Sequence, residues 1–223
     1  ANTAVAFHGD VDAGIALSRS GRRLLLEPEP LFLATAEARF LKRVVEQASV
    51  AELRKIRSAT FVKPAAPVDK RVFDAGVYRD GRDITLRTHE TELPLLVSEP
   101  VCWLVEYRCF VLHGRVVDAT TYASNGRFFR YGEGRWPTHE VESQTVRQLA
   151  EEFAAAHVAD LPPAYVVDVG LTSDRGWAVI ETNAAWCATL YGCDPSLVMD
   201  VLLACCCMAE KARRRCRRES RRS

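Results

Sequence analysis

The chain has 223 residues, 48% hydrophobic and 26% charged, with a formal net charge of +1. That length buries a sizeable core as one domain or two small lobes, and the composition is that of an ordinary globular protein. No apolar run reaches the roughly 20 residues of a membrane span and no signal-peptide pattern opens the chain, so no membrane partner is expected and a cytoplasmic location is the default.

The near-neutral total hides an asymmetry. Residues 211–223 hold one Lys, seven Arg and one Glu, a local charge of +7, which leaves −6 on residues 1–210. This tail reads as a solvated charge run, disordered or a frayed helix extension, with contact to nucleic acid or an acidic membrane surface as the other reading. The eight cysteines contain no CxxC pair and so no zinc spacing; they read as reduced intracellular thiols. The first residue is Ala1 rather than Met, so the sequence reads as an excerpt or a processed product.

In chain order, residues 1–26 mix strand-like pieces at Thr3–Phe7 and Arg23–Leu26 with Gly and Ser breaks, and Pro28 and Pro30 follow. Phe40, Leu41, Val44, Val45 and Ala48 form a stripe that predicts a helix from Leu31 to about Ala51, with a second short helix through Leu53 and Ile56. Thr60–Pro64 is a strand stopped by proline, and Asp80-Gly81 predicts a hairpin between Val77-Tyr78 and Ile84–Leu86. Further strands are expected at Leu95–Ser98 and Val101–Val105, broken at Glu99-Pro100. A hairpin of Glu106–Leu112 with Arg115–Thr121 turns at His113-Gly114, and Ser124-Asn125-Gly126 and Gly132–Gly134 mark a mobile loop region. Ser143–His157 predicts an amphipathic helix capped by Ser143, and Ser196 to about Met208 the last helix. The pattern is α+β in two lobes, divided as 1–100, 101–208 and the basic tail 209–223.

The strongest chemical signal lies in Val166–Gly170, the turn Ser173–Gly176, and Trp177–Asn183. Alternation puts Glu181 and Asn183 on one face, with apolar Val179 in line, and a hairpin register brings Asp168 opposite them. Two carboxylates and an amide oxygen suit Mg2+, which keeps waters and is completed by substrate phosphates.

Four separated features converge. They are Phe-Val-Lys-Pro-Ala at 61–65, Val-Ser-Glu-Pro-Val at 97–101 with Trp103, Glu-Tyr-Arg-Cys-Phe-Val at 106–111, and the run from Val166 to Trp186. In order and spacing they resemble the ATP-grasp superfamily, and specifically its clade named for two arginines and a lysine. The resemblance implies an ATP-grasp fold whose two α+β lobes grip a nucleotide between antiparallel sheets. It implies that Lys63 contacts the ATP phosphates, that Glu99, Val101 and Cys102 form the hinge against the adenine edge, and that Glu106 accepts from the ribose. Asp168, Glu181 and Asn183 would hold Mg2+. Arg108, on the face of Glu106, would aim at phosphate or a substrate carboxylate, and Arg127 or Arg130 would add a second cation, with Lys70 in the loop over the phosphates.

The segment after the metal strand, Ala184–Gly192, departs from the family pattern, so the acceptor site is not readable; Trp186 and Tyr191 line it or pack in the core. Against the relatives that carry a separate domain ahead of the grasp unit, that domain is expected to be absent or much reduced here. The activity implied is ATP-dependent ligation of a carboxylate to an amine or other nucleophile, a thiol included, through an acyl phosphate. A silent nucleotide-binding module and a nucleic-acid binder acting through the tail are the alternatives. Asp168→Asn and Glu181→Gln are expected to abolish magnesium-dependent ATP turnover with the fold intact.

Overall fold

The computed structural model describes residues 6–21, 23–66, 72–87, 93–129 and 140–208. Most of the strand expected at Thr3–Phe7, Lys70, Arg130 and the basic tail lie outside the described residues. Among the described residues no helix is long and apolar enough to cross a membrane.

Two antiparallel sheets organise the chain, giving the α+β class. The smaller has the strand order β2 (Val45–Ala48), β5 (Leu95–Ser98), β3 (Thr60–Pro64), β4 (Gly76–Tyr78). The larger runs β10 (Gly176–Asn183), β9 (Ala164–Thr172), β6 (Trp103–Leu112), β7 (Arg115–Ser124), β8 (Arg127–Phe128). Its turns use left-handed backbone: His113-Gly114 joins β6 to β7 and Asn125-Gly126 joins β7 to β8, all four at positive φ. Ser124–Gly126, expected as part of a mobile loop, is therefore a tight hairpin turn.

One face of the large sheet is core. Tyr107, Cys109, Val111, Tyr165, Val167, Val169 and Val179 pack there against Val146, Ala150, Phe153 and Ala154 of α4 (Glu140–Ala156). That helix begins ahead of the Ser143 cap expected for it; Glu142, in its first turn, accepts from the Tyr107 hydroxyl at 2.7 Å. The other face divides in two. Its lower half, with Phe110 and Val166, is covered by α5 (Pro195–Cys205), together with Leu25 from the N-terminal segment. Its upper half carries Glu106, Arg108, Asp168 and Glu181 and faces the small sheet.

Four expectations fail. The helix expected from Leu31 to Ala51 breaks into a 3-10 turn at Phe32–Ala34 and α2 (Ala38–Leu41), because Lys42 takes φ 51° and ends it. The β-branched Val45 then opens strand β2 rather than continuing a helix. Val77-Tyr78 pairs with β3, not with Ile84–Leu86, and the Asp80 carboxylate instead accepts from the Arg82 backbone N–H over a 3-10 turn. The N-terminal segment holds a helix, α1 (Val11–Arg19), capped by Asp10, where Gly14 lies so close under Trp186 that a Cβ would stand 2.2 Å from the indole. The last helix stops at Cys205, and Cys206–Met208 becomes β11, paired with β1 (Arg23–Leu25).

Candidate active site

The central residues come from strands whose registers align them. Arg108 on β6 stands opposite Asp168 on β9, and Asp168 stands opposite Glu181 on β10. Reaching that register requires a β-bulge at Ile180: Val179 pairs with Val169, and the next paired residue is Glu181. Val169 and Asp168 alternate along β9, so Val179 turns into the core while Glu181 turns to the cleft. The expectation that Val179 shares the face of Glu181 and Asn183 is thereby corrected. An unbulged strand would put all three on one face, forcing either a carboxylate into the core or a valine out of it. Tyr122 occupies the extra position of a second bulge, on β7 opposite Glu106 and Tyr107. Bulges re-aim side chains in this way beside functional sites.

Asp168 is fully buried, and Arg108 grips it with a side-on fork, Nε to Oδ1 at 2.9 Å and Nη2 to Oδ2 at 2.7 Å. Arg108 Nη1 donates to the Thr189 carbonyl at 3.2 Å, and its guanidinium lies 4.8 Å from the Tyr191 ring centre and 5.4 Å from that of Tyr122. Those rings stack, 4.9 Å apart and 10° from parallel. Tyr191 holds φ 51°, a strained conformation for a bulky residue that keeps its ring over the guanidinium. Burial is the largest influence on the Arg108 charge and opposes it, but the Asp168 carboxylate and its hydrogen bonds together prevail and raise its pKa. Much of the Arg108 fork thus serves Asp168, where the sequence suggested a phosphate or substrate carboxylate.

Glu181 pairs with Lys63 of β3, which ties the two sheets together. Asn183 Nδ2 lies 2.8 Å from Glu181 Oε1 and 3.5 Å from Asp168 Oδ2, so the three expected oxygen-bearing side chains do converge. Among the described residues no cluster of three or more His, Cys, Asp or Glu forms a metal centre. The donor set is two carboxylates and an amide, which fits magnesium completed by water and phosphate oxygens. Asn183 now turns its amide N–H toward the carboxylates; rotation about its terminal torsion presents the oxygen instead. Glu106, half-buried, accepts from the Tyr122 hydroxyl at 2.7 Å.

Two cavities open on this patch. One, of about 770 Å³, is lined by Lys63, Glu106, Arg108, Asp168, Glu181 and Asn183, with Tyr122, Phe128 and Tyr191 beyond. The second, of about 540 Å³, lies between the sheets, lined by Val45, Phe61, Val77, Leu96, Val97, Glu99 and Val101. Phe61, Lys63, Trp103, Ile180 and Glu181 border both, so the two form one cleft. Each falls within the size range of small-molecule sites. Gly170 allows Trp103 to lie on the sheet here, since a Cβ would stand 2.6 Å from the indole.

Other expected residues fall elsewhere. Cys102 is exposed outside both linings, its carbonyl accepting from the Ser173 N–H at 3.1 Å. The Glu99 carboxylate holds Arg175 of the β9–β10 turn at 2.7 Å. Arg127 is exposed and absent from the lining of both cavities, since Phe128, beside it on the two-residue β8, is the one stacked on Tyr122. Trp186 is core and Tyr191 lines the cleft.

Arg43 is the contributor that sequence reasoning missed. Its guanidinium donates to the carbonyls of Val179 at 2.8 Å and Ile180 at 2.7 Å, and sits 5.3 Å from the Trp103 ring centre. Burial pulls its pKa down to about 10, against the pull of Glu181 and Glu99. Nothing in the local sequence singles it out among the chain's arginines.

Two sheets closing on a cleft, with a lysine, two carboxylates and an amide at its centre, define a nucleotide-grasping fold. The model of an ATP-grasp domain family, the second of the clade named for two arginines and a lysine, matches residues 40–201, well over half of the chain, and the chain belongs to that family. No curated protein matches it in sequence. Solved structures similar to it include the ATP-grasp ligase PsnB complexed with a minimal precursor, with 18% identity and TM-score 0.45 over 86% of this chain and 58% of that one. Others are the macrocyclase MdnC bound with precursor peptide MdnA from Microcystis aeruginosa MRC (12%, 0.42, 79% and 57%) and an L-amino acid ligase from Bacillus licheniformis (15%, 0.39, 70% and 38%). The chain spans a little over half the length of the first two of these.

Proposed function

We propose that this chain is an ATP-dependent ligase that joins a carboxylate to an amine, or to a thiol, through an acyl phosphate. The observation that carries the reading is the cleft itself: a largely apolar slot between the sheets opens, at Lys63 and Glu181, into a larger chamber that carries the charged side chains of Glu106, Arg108 and Asp168. The slot suits a purine, with the hinge at Glu99–Val101 along its edge. The chamber suits a triphosphate and the substrate carboxylate beyond it. In the reaction a carboxylate oxygen attacks the γ-phosphorus, the bond to the β-phosphate oxygen breaks and ADP departs. The nucleophile then attacks the acyl carbon, inorganic phosphate leaves, and the nucleophile's proton passes to solvent.

The protein's share is positioning and charge balance. Lys63 meets the transferring phosphate with a mobile point charge, and the Arg108 fork holds Asp168 in a single orientation. Glu106, fixed by Tyr122, faces the ribose side of the chamber. Asp168, Glu181 and Asn183 would hold Mg2+, which when bound neutralises the charge on the β- and γ-oxygens.

Calorimetry with Mg-ATP on the wild type and Glu181→Gln tests this reading, followed by assay for ADP when candidate acids and amines are supplied. Equal affinity in the two proteins would overturn the metal assignment, and absence of any ATP binding to the wild type would overturn the function.

A further inference from the structure

The bulge leaves Ile180 unpaired with β9 at the point where β10 turns Glu181 into the cleft. The carbonyls of Ile180 and of Val179 before it accept from the two terminal nitrogens of one guanidinium, that of Arg43. Arg43 also donates to Leu41 O at 3.1 Å, so it fastens the end of α2 to the metal strand. The same guanidinium forms part of the wall of the purine slot beside Trp103.

We propose that Arg43 is a positioning residue: by spanning the bulge carbonyls it holds Glu181 in the orientation that meets the metal, and so joins the purine slot to the metal face. This rests on the nucleotide reading above. Three features support it. The guanidinium is the one side-chain group whose rigid fork reaches two successive carbonyls, which an ammonium does not reproduce. Glu181 follows Ile180 directly, so rotation of the Ile180 peptide unit re-aims the carboxylate. Lys63 reaches Glu181 from the small sheet, and with Arg43 it brackets the carboxylate by its side chain and by its backbone.

The test uses the full chain, with Arg43→Met and Arg43→Lys compared by calorimetry of ATP binding across a magnesium titration and with no magnesium. Groups that orient metal ligands typically contribute about 10- to 100-fold in metal affinity. Arg43→Met is therefore expected to raise the magnesium concentration for half-maximal ATP binding at least about tenfold, and Arg43→Lys by less, each by a larger factor than the same change weakens metal-free ATP binding at the slot that Arg43 lines. A purely structural role lowers metal-free and metal-dependent binding by the same factor, and that result overturns the proposal, as does no change in either. Loss of the folded state in both variants also overturns it, making Arg43 a clamp of the fold alone. Failure of the wild type to bind ATP in any condition falls instead on the nucleotide reading, which separates the two.

Discussion

Phe110 and Val166 stand opposite each other on β6 and β9, and Arg108 and Asp168 stand opposite each other two residues along on the same face. The pleat treats the two pairs alike, and both are buried. What differs is the cover: α5 closes over the apolar pair, while the ionic pair meets the cleft and the tyrosine stack. Burial without water makes opposite demands on the two, since an apolar pair needs only contact whereas a charge needs a partner with matched geometry. One sheet face is thus a core at one end and a cleft wall at the other, and the β6–β9 ladder runs between the two pairs without a bulge.

Removing one member of the ionic pair has the most severe effect. Arg108→Met leaves the buried Asp168 carboxylate without its fork and is expected to cost about 3–5 kcal/mol by chemical denaturation. For the same reason Asp168→Asn, which leaves the Arg108 charge buried without its partner, is expected to weaken the fold as well as the site, contrary to the sequence-based expectation. Glu181→Gln is the cleaner probe, because Glu181 keeps partial exposure. Val166→Ala, in the apolar half, removes two buried carbons and is expected to cost about 2 kcal/mol with ATP binding unchanged. A loss of binding equal to that of Glu181→Gln would erase the distinction between the halves. The double change Arg108→Met with Asp168→Leu converts the upper half to the character of the lower and is expected to be neutral or stabilising while abolishing metal-dependent binding.

The smallest effect concerns Glu106. Burial, followed by the Asp168 and Glu181 charges, raises its pKa above the usual 4.5 against the Tyr122 hydrogen bond. The folded protein therefore holds that proton to higher pH than the unfolded chain does, and stability falls as pH rises from 4.5 through the raised value. Glu106→Gln should flatten that fall, and an identical pH slope of unfolding in the variant would refute the account.

The residue types of the site were legible because strand alternation and spacing act locally: Lys63 before a proline, Glu106 and Arg108 two apart, Glu181 and Asn183 two apart. The β6–β7 hairpin was legible from its turn, and α4 from its apolar stripe. The register that makes Arg108 grip Asp168, the bulge that separates Val179 from Glu181, and the reach of Arg43 across the fold were not legible. The grip and the reach depend on contacts between residues 60 to 137 positions apart in the chain, which only packing brings together, and the bulge is set in the register of β9 with β10. Residue order by itself determined which chemical groups the protein carries and the strands on which they ride. Tertiary structure decided which of them meet and which are spent on one another, because a buried charge takes whatever partner the packed core places within its reach.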